Sequence, residues 1–255
     1  MMNENDSPAP PSSCSAEPSF SAAIKADAAT LCRHACEIVC TNRRKILGIA
    51  LAVAALLLFL MPRDPSLLMC IRKGDEQSSV WAWHLSHWSN AGIFNVGLVL
   101  ILVFLARLRH SVFIRRLAVL TFLGSVLSGV TATTIRGLAG RARPDNGLTP
   151  GFYGPTLDKR KLSFPSGHTA TAFGASIPLA VACPPAGVPL ILFSGGVAWS
   201  RMEKSCHYPG DILASIALAS FFGIPLGLAA RRMRRDSTTT AAPAAPVPPS
   251  SSAQC

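Results

Sequence analysis

Ser200-Arg-Met-Glu-Lys-Ser-Cys-His-Tyr-Pro-Gly-Asp211 lies between two strongly apolar segments, where a membrane protein usually puts a short polar loop. Within this stretch the chain places Arg201, His207 and Asp211. A guanidinium is a planar fork that matches phosphate oxygens, and an imidazole acts as nucleophile or proton carrier near neutral pH. If the chain turns into a helix at Pro209, Asp211 can accept the second ring N–H of His207 and fix its tautomer. Taken alone, the stretch also fits a charged loop whose arginine and aspartate merely pair.

Two upstream stretches bear on that choice. One is Arg136-Gly-Leu-Ala-Gly-Arg-Ala-Arg-Pro144, with arginines at 136, 141 and 143; the other is Phe164-Pro-Ser-Gly-His-Thr169. With these three blocks in this order, the chain resembles the type 2 phosphatidic acid phosphatase superfamily, whose signature is Lys-x6-Arg-Pro, Pro-Ser-Gly-His and Ser-Arg-x5-His-x3-Asp. The second and third blocks match at every signature position, and the first has Arg136 in place of the lysine. That replacement keeps the charge and exchanges a compact ammonium for a bulkier fork. The resemblance covers roughly residues 90 to 230.

Composition sets the outer bounds. The 255 residues are 49% hydrophobic and 15% charged, too apolar for an ordinary soluble domain. The formal charge of +11 sits in short clusters beside apolar runs and around the three blocks. That pattern suits membrane orientation and phosphate binding, and no nucleic-acid partner is expected.

Residues 1–19 are rich in Ser, Pro and Ala; they read as a disordered tail and not as a signal peptide. Residues 20–44 read as an interfacial helix with Ile24, Leu31, Ile38 and Val39 on one rough apolar face. Cys32, Cys36 and Cys40 recur every four residues near His34; without paired short spacings they read as small apolar fillers of a helix stripe, not a metal site. Residues 45–235 then read as six spans, near 46–61, 91–106, 117–135, 168–183, 188–199 and 212–230, which the resemblance implies make up a phosphatase domain. Pro62 and Pro65 are expected to end the first span, before a polar connection in which Trp81, His84, Leu85 and Trp88 fall at helical spacing, as interfacial anchors do. Pro184-Pro185-Ala186-Gly187 reads as a tight turn, and residues 236–255 as a second disordered tail. The fold class expected is an all-α six-span bundle with its active site on loops at one membrane face.

Lysines and arginines fix the expected orientation. With both termini cytoplasmic, the clusters at 43–45, 107–116 and 231–235 face inward, and all three signature blocks face the periplasmic side of a plasma membrane. The eight cysteines are scattered and give no disulfide framework.

The resemblance implies a metal-independent lipid phosphatase without a cofactor. In that reading His207 attacks phosphorus to form a phosphohistidine, Asp211 orients its ring, and His168 protonates the leaving oxygen and then activates water. Arg136, Arg143 and Arg201, with Ser166 and the backbone N–H groups near Gly167, cradle the phosphate. Arg141 is expected either to support these residues from behind or to contact the lipid headgroup. The substrate is a lipid phosphate in the bilayer, for which the resemblance offers undecaprenyl diphosphate, phosphatidylglycerol phosphate, phosphatidic acid or lipid A. A lipid phosphotransferase using the same phosphohistidine, and a phosphate-binding membrane protein without catalysis, are the alternatives. Oligomeric state is left open.

Overall fold

The computed structural model describes residues 19–72, 74–88 and 93–240. Among these, regular structure is helical apart from one isolated bridge between Arg141 and Phe152. The order is α1 (Phe20–Thr41), α2 (Arg43–Leu60), a 3-10 turn at Met61–Arg63, α3 (Asp64–Ile71), α4 (Glu76–Trp88), α5 (Ile93–Leu108), α6 (Val112–Ala139), a 3-10 turn at Lys159–Lys161, α7 (Gly167–Ala182), α8 (Pro184–Glu203) and α9 (Pro209–Thr240).

Helix α7 is the axis of the bundle and packs against α6, α8 and α9. Its composition explains the position, because Ala170, Ala172, Gly174, Ala175 and Ser176 are small, buried and let neighbouring backbones come close. A Cβ at Gly174 would fall 2.6 Å from the Gly124 carbonyl oxygen of α6. On the opposite side, a Cβ at Gly227 of α9 would stand 2.7 Å from the Pro178 carbonyl oxygen. Below this close-packed layer, Leu31, Leu120, Leu179 and Leu226 from four helices share one core cluster.

The outer surface is apolar instead of charged. Leu47, Ile49 and Phe59 on α2, Leu100 and Phe104 on α5, Val130 on α6 and Leu192 on α8 are all exposed. Such a belt suits a hydrocarbon surround, where the helix is the element that satisfies its own backbone. Among the described residues, three helical stretches are long and apolar enough to cross a membrane, namely Arg43–Ile71, Val112–Ala139 and Pro209–Ser237, and Ile93–Leu108 is a shorter apolar helix.

Several expectations need correction. Pro62 and Pro65 do not end the first span: each occupies an opening position of a new helical turn, where its missing N–H costs nothing, and the helical path runs on to Ile71. Pro184 and Pro185 likewise open α8 instead of forming a tight turn. The connection before residue 90 is largely helical, as α3 and α4. The cysteines at 32, 36 and 40 are exposed, so they fill no core; the buried stripe of α1 is Ala23, Asp27, Leu31 and Ala35. Residues 236–240 continue α9, whereas residues 1–18 and 241–255, the remainder of both expected tails, lie outside the described residues.

Helix α1 is tied to the basic end of the bundle. Asp27 accepts from Arg115 Nε at 2.7 Å and from Arg116 Nε at 3.2 Å, and Arg116 also donates to the Met233 carbonyl. These contacts gather α1, α6 and α9 at the end remote from the signature blocks.

Candidate active site

The chain direction alternates from α6 to α9, so the C-termini of α6 and α8 and the N-termini of α7 and α9 share one end of the bundle. Arg136 is in the last turn of α6, His168 in the first turn of α7, Arg201 in the last turn of α8, and Asp211 in the first turn of α9. Arg143, Ser166 and His207 lie in the connecting segments. Helix ends therefore carry as much of the site as loops do. Gly140 closes α6 in the left-handed conformation, at φ 61°, and turns the chain toward Arg141 and Arg143.

His207 is 1% exposed, and its ring is held by the backbone. Nδ1 lies 2.8 Å from the Ser163 carbonyl oxygen but 3.7 Å from Asp211 Oδ2. A carbonyl oxygen only accepts, so Nδ1 carries the proton and Nε2 keeps its lone pair. Asp211 does not take the ring N–H as its main contact, contrary to the sequence expectation. Its Oδ2 accepts from the Ser163 hydroxyl at 2.5 Å and from the Tyr208 backbone N–H at 2.9 Å. Asp211 thus orients Ser163, and Ser163 orients His207. Burial pushes the imidazole pKa below its ordinary value, against the opposing pull of Asp211.

Of the two expectations for Arg141, the geometry matches a residue that stands behind the histidine and not one that reaches a headgroup. Arg141 is 3% exposed and forked between Asp211 Oδ1 at 2.6 Å and Asp64 Oδ2 at 2.7 Å, with its Cζ 4.6 Å from the centre of the Tyr208 ring. Burial opposes its charge, yet Asp211 and Asp64 outweigh that and hold its pKa above the usual guanidinium value. Asp64, which the sequence reading missed, also accepts from the Gly210 backbone N–H at 2.9 Å. A Cβ at Gly210 would stand 2.6 Å from the same carboxylate, so this position accommodates only a glycine beside it. Nothing in the sequence around Asp64 marks it, because it follows a long apolar run and lies 77 residues from Arg141.

The other arginines stand differently. Arg136, Arg143 and Arg201 lie within electrostatic reach of one another and of His168, and His168 is within reach of His207. Each of the three has a buried Nε with no hydrogen-bond partner among the described residues. Like charges gathered in a buried setting, each with an unsatisfied donor, suit an anion. Gly167 contributes by having no side chain, since a Cβ there would collide with the Arg136 guanidinium. Ser166, the N-cap of α7, is fully buried and makes no side-chain capping bond; its hydroxyl accepts from Thr169 at 3.0 Å. The first N–H groups of α7 therefore add to the positive end of this site. Arg201 Nη1 donates to Ser86 of α4 at 2.6 Å, and Glu203 accepts from Ser78 of α4 at 3.2 Å, so α4 is fastened beside the site.

A cavity of about 700 Å³ leads away from this end between α5 and α6. Arg136, Gly167 and His168 line its upper part, and Val96, Leu100, Phe122 and Val126 line its apolar length. Among the described residues, no group of three or more His, Cys, Asp or Glu side chains is arranged to hold a metal ion.

The fold is that of a helical membrane protein, and at one end of it three arginines and two histidines are gathered within electrostatic reach. Residues 113–235 match the family model of the PAP2 superfamily. The chain is 30% identical over 102 residues to a lipid A 1-phosphatase of Rhizobium etli, covering 39% of this chain and 44% of the relative. It is also 30% identical over 106 residues to a lipid A 1-phosphatase of Rhizobium johnstonii, covering 40% of this chain and 43% of the relative. The chain thus spans less than half the length of these curated relatives. Its fold is similar to the crystal structure of a transmembrane PAP2 type phosphatidylglycerolphosphate phosphatase from Bacillus subtilis, at a TM-score of 0.55 and 16% identity, covering 75% of this chain and 96% of that one.

Proposed function

We propose that this chain is a metal-independent lipid phosphatase that hydrolyses the phosphoester of a membrane lipid through a phosphohistidine on His207. The observation that carries the reading is the gathering of Arg136, Arg143 and Arg201, each with an unpartnered buried Nε, around two histidines. Charge spread over fixed donors is what an anionic phosphate needs before a nucleophile can approach it.

In the first step the Nε2 lone pair of His207 attacks phosphorus, the bond to the lipid oxygen breaks, and His168 gives that oxygen its proton. In the second step His168 takes a proton from water, the water oxygen attacks phosphorus, and the nitrogen–phosphorus bond breaks to release phosphate. The arginines, Ser166 and the N–H groups near Gly167 hold the phosphoryl oxygens throughout. The residues present supply this charge without a metal ion, and no cofactor enters either step.

Among lipid phosphates, the names of the curated relatives favour the 1-phosphate of lipid A over undecaprenyl diphosphate, phosphatidylglycerol phosphate and phosphatidic acid. The bundle crosses the plasma membrane six times through α2, α5, α6, α7, α8 and α9. The basic end around Arg115, Arg116 and residues 231–235 faces the cytoplasm and the site faces the periplasm.

Phosphate release from these four lipids by the detergent-purified chain, with and without chelator and vanadate, tests the reading. Release that persists in chelator, falls with vanadate as a mimic of the transferring phosphoryl group, and vanishes in His207→Ala supports it. Release that requires added divalent ion, or that survives in His207→Ala, overturns it.

A further inference from the structure

One polar side chain in the wall of the lateral cavity plays no part in the chemistry above. Asn95 of α5 is 8% exposed and lines the cavity. Its Nδ2 donates to Ser125 Oγ of α6 at 2.9 Å and to the Thr171 carbonyl oxygen of α7 at 3.2 Å. The Thr171 carbonyl can only accept, which fixes the amide orientation and leaves Oδ1 as the remaining group. Oδ1 is buried and has no donor among the described residues. A buried carbonyl oxygen without a partner is costly, and its chemistry selects the group that relieves it, because it takes a donor and refuses an acceptor.

Position narrows the ligand further. Thr171 is one turn along α7 from Gly167, which at the helical rise puts the amide about 6 Å below the phosphate cradle. Val96, Leu100, Phe122 and Val126 make an apolar stretch of the path, and the Thr133, Thr134 and Thr171 hydroxyls that also line it donate to backbone carbonyls of their own helices. We infer that this cavity receives an acyl chain carrying a free hydroxyl close to the phosphorylated headgroup, with the hydroxyl donating to Asn95 Oδ1. A hydroxyl on the third carbon of a chain attached beside the phosphorylated carbon falls at this depth. Asn95 is then a specificity-determining residue, holding the lipid in register with His207. An unsubstituted chain leaves Oδ1 unpaired, and a chain whose hydroxyl is blocked brings an acceptor to an acceptor.

This inference rests on the lipid phosphatase reading, and its test separates the two. The full chain in detergent is given three lipids that differ at one position: N-(3-hydroxymyristoyl)glucosamine 1-phosphate, its N-myristoyl analogue and its N-(3-methoxymyristoyl) analogue. Phosphate release and the lipid-induced shift in melting temperature are both measured. The parent is expected to favour the hydroxy lipid about tenfold in kcat/KM over each of the others, with the largest melting shift. In Asn95→Leu the three rates converge to within a factor of about two. Equal rates and equal shifts for the three lipids in the parent overturn the inference without any variant having to fold, as does an undiminished preference in Asn95→Leu. If no lipid releases phosphate, the catalytic reading fails, and the melting shifts still decide for or against the hydroxyl contact.

Discussion

The His207 ring donates through Nδ1 to the Ser163 carbonyl, at 2.8 Å, while Asp211 stands 3.7 Å from the same nitrogen. The aspartate therefore acts on the histidine through an intermediate, since it holds the Ser163 hydroxyl at 2.5 Å. This places the proposed nucleophile in a frame made of Asp211, Ser163, Arg141 and Asp64, with Nε2 as the ring nitrogen left for a substrate.

The frame predicts that Asp64 acts at a distance from substrate. Asp64→Ala leaves the buried Arg141 with one carboxylate in place of two, and breaking such a pair costs about 3–5 kcal/mol of stability. Thermal melts are expected to show that loss. In protein that remains folded, kcat falls by about tenfold or more while KM changes little, because positioning and not binding is lost. A folded Asp64→Ala chain with the parent kcat contradicts the frame.

Gly167 and Arg136 are predicted to be coupled. Gly167→Ala puts a methyl group where the Arg136 guanidinium lies, and displacing a positioning group by a fraction of its size can cost about a hundredfold in kcat/KM. Replacing Arg136 by lysine in the same background restores part of that loss, since a compact ammonium on a flexible stem avoids the methyl group. Parent-like kinetics in Gly167→Ala, or no recovery in the double variant, contradicts the assigned contact.

The pH dependence has a defined sign. Burial lowers the His207 pKa in the folded chain, so the unfolded chain takes up this proton first as pH falls. Stability is therefore expected to decline from the ordinary imidazole value downward, and to be unaffected by this group above it. Activity follows the same ionisation, because only neutral Nε2 attacks phosphorus. After correction for ionisation of the substrate itself, the acid limb of kcat/KM is expected below the ordinary imidazole pKa. A limb at or above that value contradicts a buried neutral nucleophile.

Much of this site is legible in the sequence because its chemistry is local. Arg201, His207 and Asp211 share one short polar stretch, and Pro209 opens the helix that carries Asp211. What sequence could not supply is partnership across the fold. Asp64 reads as the end of an apolar run broken by prolines, yet its carboxylate meets Arg141 and Gly210 from far along the chain. Ser163 acts on His207 through a backbone carbonyl, a group every residue has. Asn95 is one polar residue in an apolar helix, and only the bundle shows that Ser125 and Thr171 leave its Oδ1 unmatched. A helix is legible at α1, but its cysteine stripe faces outward while Asp27 and Leu31 face inward, because the half-buried Arg115 and Arg116 of α6 and the leucines of α6, α7 and α9 choose the face.

The central claim is covalent, and trapping the intermediate tests it most directly. The chain is mixed with p-nitrophenyl phosphate, whose leaving group needs no proton, and quenched in base, where phosphohistidine survives. Peptides covering residues 200–211 are then analysed by mass spectrometry. The account predicts a phosphoryl group on His207, present in the parent and accumulating in His168→Ala, where water attack loses its base. Turnover by the parent with no phosphoryl group on His207 in either chain, or a phosphoryl group on another residue, contradicts it.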